Sequence, residues 1–98
     1  MMKKTYVKKS NKWRVTFELP ADAKAQKASV CGEFNDWDKT KHELVRRKQG
    51  NFSITVSLDA GKEYRFRYWV DDDRWENDWA ADKYVPNEFG SEDSVVVL

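Results

Sequence analysis

Three carboxylates, Glu33, Asp36 and Asp38, lie within six positions of one another and are followed by the only histidine of the chain, His42. A carboxylate pair of this kind is the equipment of glycoside hydrolysis, one residue protonating the leaving oxygen while the other attacks or activates water. That chemistry needs a cleft that holds a distorted sugar, and short loops on a 98-residue chain give none. His42 stands between Lys41 and Glu43 with no nucleophile in a recognisable frame, so a catalytic histidine is not expected. Cys31, the one cysteine, sits in an apolar run and reads as a small buried side chain. A single cysteine forms no intrachain disulfide and no cysteine metal cluster. The acidic run Asp71-Asp72-Asp73, Glu76, Asp78 and Asp82 invites a calcium loop. Arg74 and Trp75 interrupt it and the required glycine is missing, which leaves a solvated acidic turn. No catalytic residue, metal or cofactor is implied, and the chain is expected not to be an enzyme.

The aromatic side chains point elsewhere. Phe, Trp and Tyr make up 14% of the sequence and five residues are Trp, although the hydrophobic fraction is an ordinary 40%. A core this small buries few indoles, so some are expected at the surface, where one apolar face is free to bind. Aromatics with arginine can also stack single-stranded nucleic acid. Lys plus Arg number 18 against 17 Asp plus Glu, for a net charge of +1, and no RNA-recognition motif is present, so neither nucleic acid nor an anionic membrane is the expected partner. The start, Met1-Met2-Lys3-Lys4, leads into polar residues instead of an apolar segment, so no signal peptide is read and the cytoplasm is the simplest location.

The elements that would hold these residues are strands. Trp13 to Leu19 alternates apolar and polar residues up to Pro20; Phe52, Ile54, Val56 and Leu58 repeat the pattern, as do Tyr64, Phe66, Tyr68 and Val70. Period two marks strands with one buried face. Ser10-Asn11, Gln49-Gly50-Asn51 and Ala60-Gly61-Lys62 are turn signals between runs, and the apolar stretches Ala28 to Cys31 and Ser94 to Leu98 bring the count to about seven strands. The spacing predicts an all-β antiparallel sandwich in one domain over residues 1–98. Ala21 to Ala28 reads as a loop with at most one helical turn. Two stretches, Glu33 to His42 and Asp71 to Asp93, lack strand pattern and are rich in polar and aromatic residues. If Tyr64, Phe66, Tyr68 and Val70 point inward, Arg65, Arg67 and Trp69 point outward together. Solvated, edge-protecting charge explains such a face as well as ligand contact does.

The run Val30-Cys31-Gly32-Glu33-Phe34-Asn35-Asp36-Trp37 reads as strand, turn and a loop closing on Trp, with Phe34 as anchor and Asn35 and Asp36 bonding local backbone. Together with the Gly61 to Asp71 strand and the closing Asn87-Glu88-Phe89-Gly90 and Ser94-Val95, it resembles carbohydrate-binding module family 48. That family includes the glycogen-binding domain of the AMP-activated protein kinase β subunit and the N-terminal domains of isoamylase, glycogen branching enzymes and related members of glycoside hydrolase family 13. The resemblance implies an immunoglobulin-like sandwich that binds α-1,4-linked glucan, glycogen or starch, without cutting it. It also suggests a glycogen-metabolism protein as a further partner. Residue by residue it implies Trp37 and Trp75 as sugar-stacking platforms, Arg67 in place of a sugar-contacting Lys, Phe89 pushing into the bend of the glucan, and Ser91 and Asp93 bonding hydroxyls. The sequence departs from the family at Asp93, where Asn is usual, at Asp72-Asp73 in place of Asp-Gly, at Asp78-Trp79 in place of Asp-Pro, and at Phe52 in place of Trp. Trp69 and Trp79 gain no such support and read as packing residues, and Arg65 as solvated surface. The alternative is a stand-alone protein-interaction or regulatory module of the same fold with a vestigial sugar site.

Overall fold

The computed structural model describes residues 2–98 as nine strands and two short 3-10 turns. The strands are β1 Lys3–Val7, β2 Lys12–Leu19, β3 Ala28–Gly32, β4 Val45–Arg46, β5 Phe52–Asp59, β6 Glu63–Val70, β7 Arg74–Glu76, β8 Lys83–Pro86 and β9 Glu92–Val97. One sheet has the order β1-β2-β5-β4 and the other β3-β6-β9-β8, with β7 added beside β6. Every pairing is antiparallel. The protein is an immunoglobulin-like sandwich.

The three alternating runs form β2, β5 and β6, and their apolar positions supply the core. Val15, Phe17 and Leu19 face Val30, Phe66, Tyr68, Val70 and Val96, with Phe52, Leu58 and Leu44 closing the ends. Phe17 and Phe66 meet edge to face at 4.9 Å, which ties the two sheets together at their centre. Burying aliphatic and aromatic side chains of this size contributes about 1.5–3 kcal/mol each.

One polar pair is drawn into this interior. The Tyr68 hydroxyl donates to Asp78 at 2.7 Å, and Asp78 is 2% exposed. Burial, then the Asp78 charge, holds the Tyr68 hydroxyl well above its ordinary range, so it stays a donor.

Four strands lie outside both the alternating runs and the apolar stretches that became β3 and β9: β1, β4, β7 and β8. β1, β4 and β8 are mostly exposed and β7 is half-buried along its length. A strand with no buried face has no reason to alternate, and periodicity alone does not reveal it. Ala21–Ala23 forms the single helical turn expected after Pro20.

Candidate functional site

The site begins where β3 ends. Gly32 has extended backbone, and a Cβ there would lie 2.5 Å from the Arg65 carbonyl oxygen and 2.9 Å from Phe66 Cβ. The chain leaves the sheet through a gap that admits only glycine. The turn Glu33–Asn35 follows, and then Asp36 and Trp37 both adopt left-handed backbone, at φ 56° and 59°. A bulky residue in that region is an outlier that costs about 1–2 kcal/mol.

Trp37 stays there because the loop is held from several sides. Its N–H donates to the Gly32 carbonyl at 3.0 Å. Buried Asn35 accepts the Gly32 N–H at 3.0 Å, and its amide donates to the Val30 carbonyl at 3.0 Å and to His42 Nδ1 at 2.8 Å. Phe34 stacks on core Phe17 at 5.4 Å and touches His42 and Tyr64. Accepting at Nδ1 requires a neutral imidazole. The His42 pKa is held below its usual 6.5 by burial first and by Lys41 second, against a smaller opposing pull from Asp38. Residues His42 and Leu44 then bond back to β3, through Val30 N–H to His42 O and Leu44 N–H to Ala28 O, so the whole loop is pinned along the sheet edge.

Trp75 arrives from a tight hairpin. Asp71 and Asp72 have φ of 55° and 57°, and the Asp73 N–H donates to the Val70 carbonyl at 3.1 Å. Two consecutive left-handed residues define a type I′ turn, which favours Asn-Gly or Asp-Gly. Here Asp72 fills the glycine position. Asp71 compensates by accepting the Gln26 and Lys27 N–H groups at 2.7 and 3.0 Å, and these bonds, with Arg74 and Lys27 nearby, hold its carboxyl below the usual range. Asp72 pairs with the Lys27 ammonium, which lowers its pKa in turn. The hairpin places Trp75 directly across from Trp69 on the outward face of the second sheet.

The indoles of Trp37 and Trp75 meet at 6.4 Å with their planes 82° apart. The Arg67 guanidinium lies 5.8 Å from the Trp75 ring centre, and its Nε is shut off from solvent without a hydrogen-bond partner among the described residues. Arg65 lies beside it: its guanidinium donates to the Pro86 carbonyl at 3.3 Å and stands 3.7 Å from Asp93, and its backbone N–H donates to Glu33 at 2.6 Å where the β3 ladder has run out.

The β8–β9 loop forms the far wall, and Asn87 organises it. Asn87 Oδ1 accepts the Phe89 and Ser91 N–H groups at 3.0 and 3.1 Å, while Nδ2 donates to Asp93 at 3.1 Å. This leaves the Phe89 ring 82% exposed. It is the most exposed large hydrophobic side chain among the described residues.

Trp37, Arg67, Trp75, Phe89 and Asp93 therefore line one open groove of about 710 Å³, while Ser91 stays outside its lining. Asp93 is 6% exposed with both oxygens engaged, one by Asn87 and the other facing Arg65, which explains how a carboxylate is accommodated where an amide was expected. The groove also takes in Glu33, Arg65 and Asn87, which the sequence did not single out as contact residues. Arg65 shares the outward face with Arg67, so strand alternation already carried its signal. Asn87, two residues before Phe89 and three before Gly90, is the spacing of a side-chain-closed turn.

Neither Cys31 nor Asp38 is set up for catalysis. Burial pushes the Cys31 thiol up to about 11, so it is not a nucleophile near neutrality. Asp38 accepts the Thr40 N–H and hydroxyl, both at 2.8 Å, and these bonds lower its pKa, opposite to what a general acid needs. Among the described residues no group of three or more His, Cys, Asp or Glu side chains gathers to hold a metal ion, and no helix is long and apolar enough to cross a membrane.

An immunoglobulin-like sandwich with an aromatic groove across one sheet face is thus the class of molecule. The model of carbohydrate-binding module 48, the isoamylase N-terminal domain, matches residues 5–85, and the chain belongs to that family. The chain is 38% identical over 60 residues to a chloroplastic/amyloplastic 1,4-alpha-glucan-branching enzyme of Oryza sativa subsp. japonica, covering 48% of this chain and 7% of the enzyme. It is 37% identical over 43 residues to the 1,4-alpha-glucan branching enzyme GlgB of Thermosynechococcus vestitus, covering 43% of this chain and 6% of the enzyme. It is 48% identical over 33 residues to the 1,4-alpha-glucan-branching enzyme of Saccharomyces cerevisiae, covering 33% of this chain and 5% of the enzyme. The chain thus corresponds to only a small part of each of these enzymes.

Proposed function

We propose that the groove holds an α-1,4-linked glucan without cleaving it. The observation that carries this reading is the near-perpendicular pair of Trp37 and Trp75 in one groove with an exposed Phe89. Coplanar platforms suit a flat, extended polysaccharide, whereas two indoles at a right angle suit a chain that bends from one sugar to the next, as α-1,4 linkage makes it do. The names of the branching enzymes to which the chain is similar point to the same ligand class.

The face of a glucose ring that carries its axial C–H bonds packs on an indole by dispersion and area burial. A contact that removes on the order of 100 Å² of apolar area contributes roughly 2–3 kcal/mol. Two such contacts, less the cost of ordering a flexible oligosaccharide, correspond to a Kd of roughly micromolar to millimolar. Arg67 donates to hydroxyls and fixes the register. The groove carries Arg65 and Arg67 against Glu33, Glu88 and Asp93, a mixed set suited to a neutral polyhydroxyl ligand and little affected by salt.

Titration with maltoheptaose or β-cyclodextrin, followed by tryptophan fluorescence, tests the reading. A saturable change that disappears in Trp37→Ala and Trp75→Ala is the expected result. A flat response at millimolar sugar overturns it.

A further inference from the structure

Trp75 lines the first groove and also meets Trp69, at 4.8 Å between ring centres. Trp69 in turn borders a second groove of about 430 Å³, together with Ser29, Lys39, Thr40, Glu43 and Asp72. The three indoles run as a row, Trp37 to Trp75 to Trp69, from the first groove into the second. Trp69 is held from one side by its packing on Trp75.

Above the Trp69 ring stands the Lys39 ammonium, 3.8 Å from its centre and 5.4 Å from that of Trp75. No ion pair among the described residues includes Lys39. Its contacts are the two π faces, and its three N–H donors are open to a ligand. The charges around this groove balance, Lys27 and Lys39 against Glu43 and Asp72, and Lys27 is already paired with Asp72. An anion entering there meets as many carboxylates as ammonium groups, and a cation fares no better. A neutral polyhydroxyl chain finds a donor in Lys39, an acceptor in Glu43 and an apolar platform in Trp69.

We propose that the second groove is a further subsite that takes additional glucose units of the same chain. Trp69 is its platform, and Lys39 and Glu43 are its hydroxyl partners. A sugar ring settling on Trp69 moves the Lys39 ammonium aside, where it bonds the sugar's hydroxyls. This inference rests on the glucan reading of the first groove and extends the ligand beyond it.

Chain length separates the two grooves. In an amide- and indole-resolved NMR titration, maltotriose should shift the Trp37 and Trp75 signals and leave the backbone amides of Ser29, Thr40 and Glu43 in place. Maltoheptaose should shift both sets. Glu43→Ala, at an exposed side chain, should weaken maltoheptaose about fivefold, the effect of one lost hydrogen bond, and leave maltotriose unchanged. If both sugars shift only the first set and Glu43→Ala has no effect, the second subsite is wrong and the glucan reading stands. If neither sugar shifts any signal, the glucan reading fails and takes this inference with it.

Discussion

Among the described residues six other than glycine have positive φ, namely Asn11, Lys24, Asp36, Trp37, Asp71 and Asp72, and Trp37 is the one aromatic in that set. Strain of this kind persists where the surroundings over-determine it, and it gathers at binding sites. The usual order of tolerance should therefore invert at this position. Trp37→Gly removes the left-handed penalty and Trp37→Ala keeps it, so the glycine variant should be the more stable by about 1 kcal/mol in urea unfolding. Both should lose at least tenfold in glucan affinity, because either change deletes a platform. Equal stabilities would mean that the ring, and not the backbone, dominates the energetics of the loop. Gly32 makes the opposite demand: Gly32→Ala drives a methyl into the Arg65 carbonyl and the Phe66 side chain and should cost about 1–3 kcal/mol. The sequence made Trp37 and Gly32 legible through their motif. It did not disclose the φ of Trp37, because nothing in a residue's type says that its neighbours will force it into a disfavoured region.

Strands with one buried face were plain in the sequence, and β2, β5 and β6 follow their alternation almost residue for residue. The outward set Arg65, Arg67 and Trp69 on β6 followed from the same pattern. β7 and β8 were hidden inside the polar stretch from Asp71 to Asp93, because their pairing is backbone hydrogen bonding along β6 and β9 and leaves no apolar period to read. The β6–β7 hairpin shows the same limit. Asp-Asp is a poor advertisement for a type I′ turn, and its stability comes from backbone donors on the segment before β3, more than forty positions away in sequence. Asp72→Gly restores the favoured turn residue and gives up an exposed ion pair with Lys27, an interaction of little worth. The urea midpoint should rise, and glucan affinity should hold if Trp75 keeps its place. A fall in the midpoint would show that what the Asp72 carboxylate contributes outweighs the backbone relief.

At the scale of the whole molecule the near-zero net charge leaves no strong field, so pH should act through particular groups. His42 is the group that titrates closest to neutrality with a displaced pKa. It is neutral while it accepts from Asn35, the same side chain that ties Gly32 to Val30 and sets the loop carrying Trp37. Around it stand Lys41, which disfavours protonation, Asp38, which favours it, and the Phe34 ring. The folded pKa lies below 6.5, so the unfolded chain takes up the proton first. Stability is therefore fully present above about pH 6.5 and is lost as the pH falls toward and through the folded value. The lowered carboxylates Asp38, Asp59, Asp71 and Asp72 act in a separate window, keeping their stabilisation until the pH drops below 3.8. Between pH 7 and 5 the melting temperature should fall, and glucan affinity should fall with it, because a protonated His42 no longer accepts from Asn35 and the Trp37 loop loosens. His42→Gln offers an uncharged acceptor and should flatten both curves over that range. If wild type and variant decline in parallel, the sensitivity lies elsewhere and Asn35 does not couple His42 to the groove.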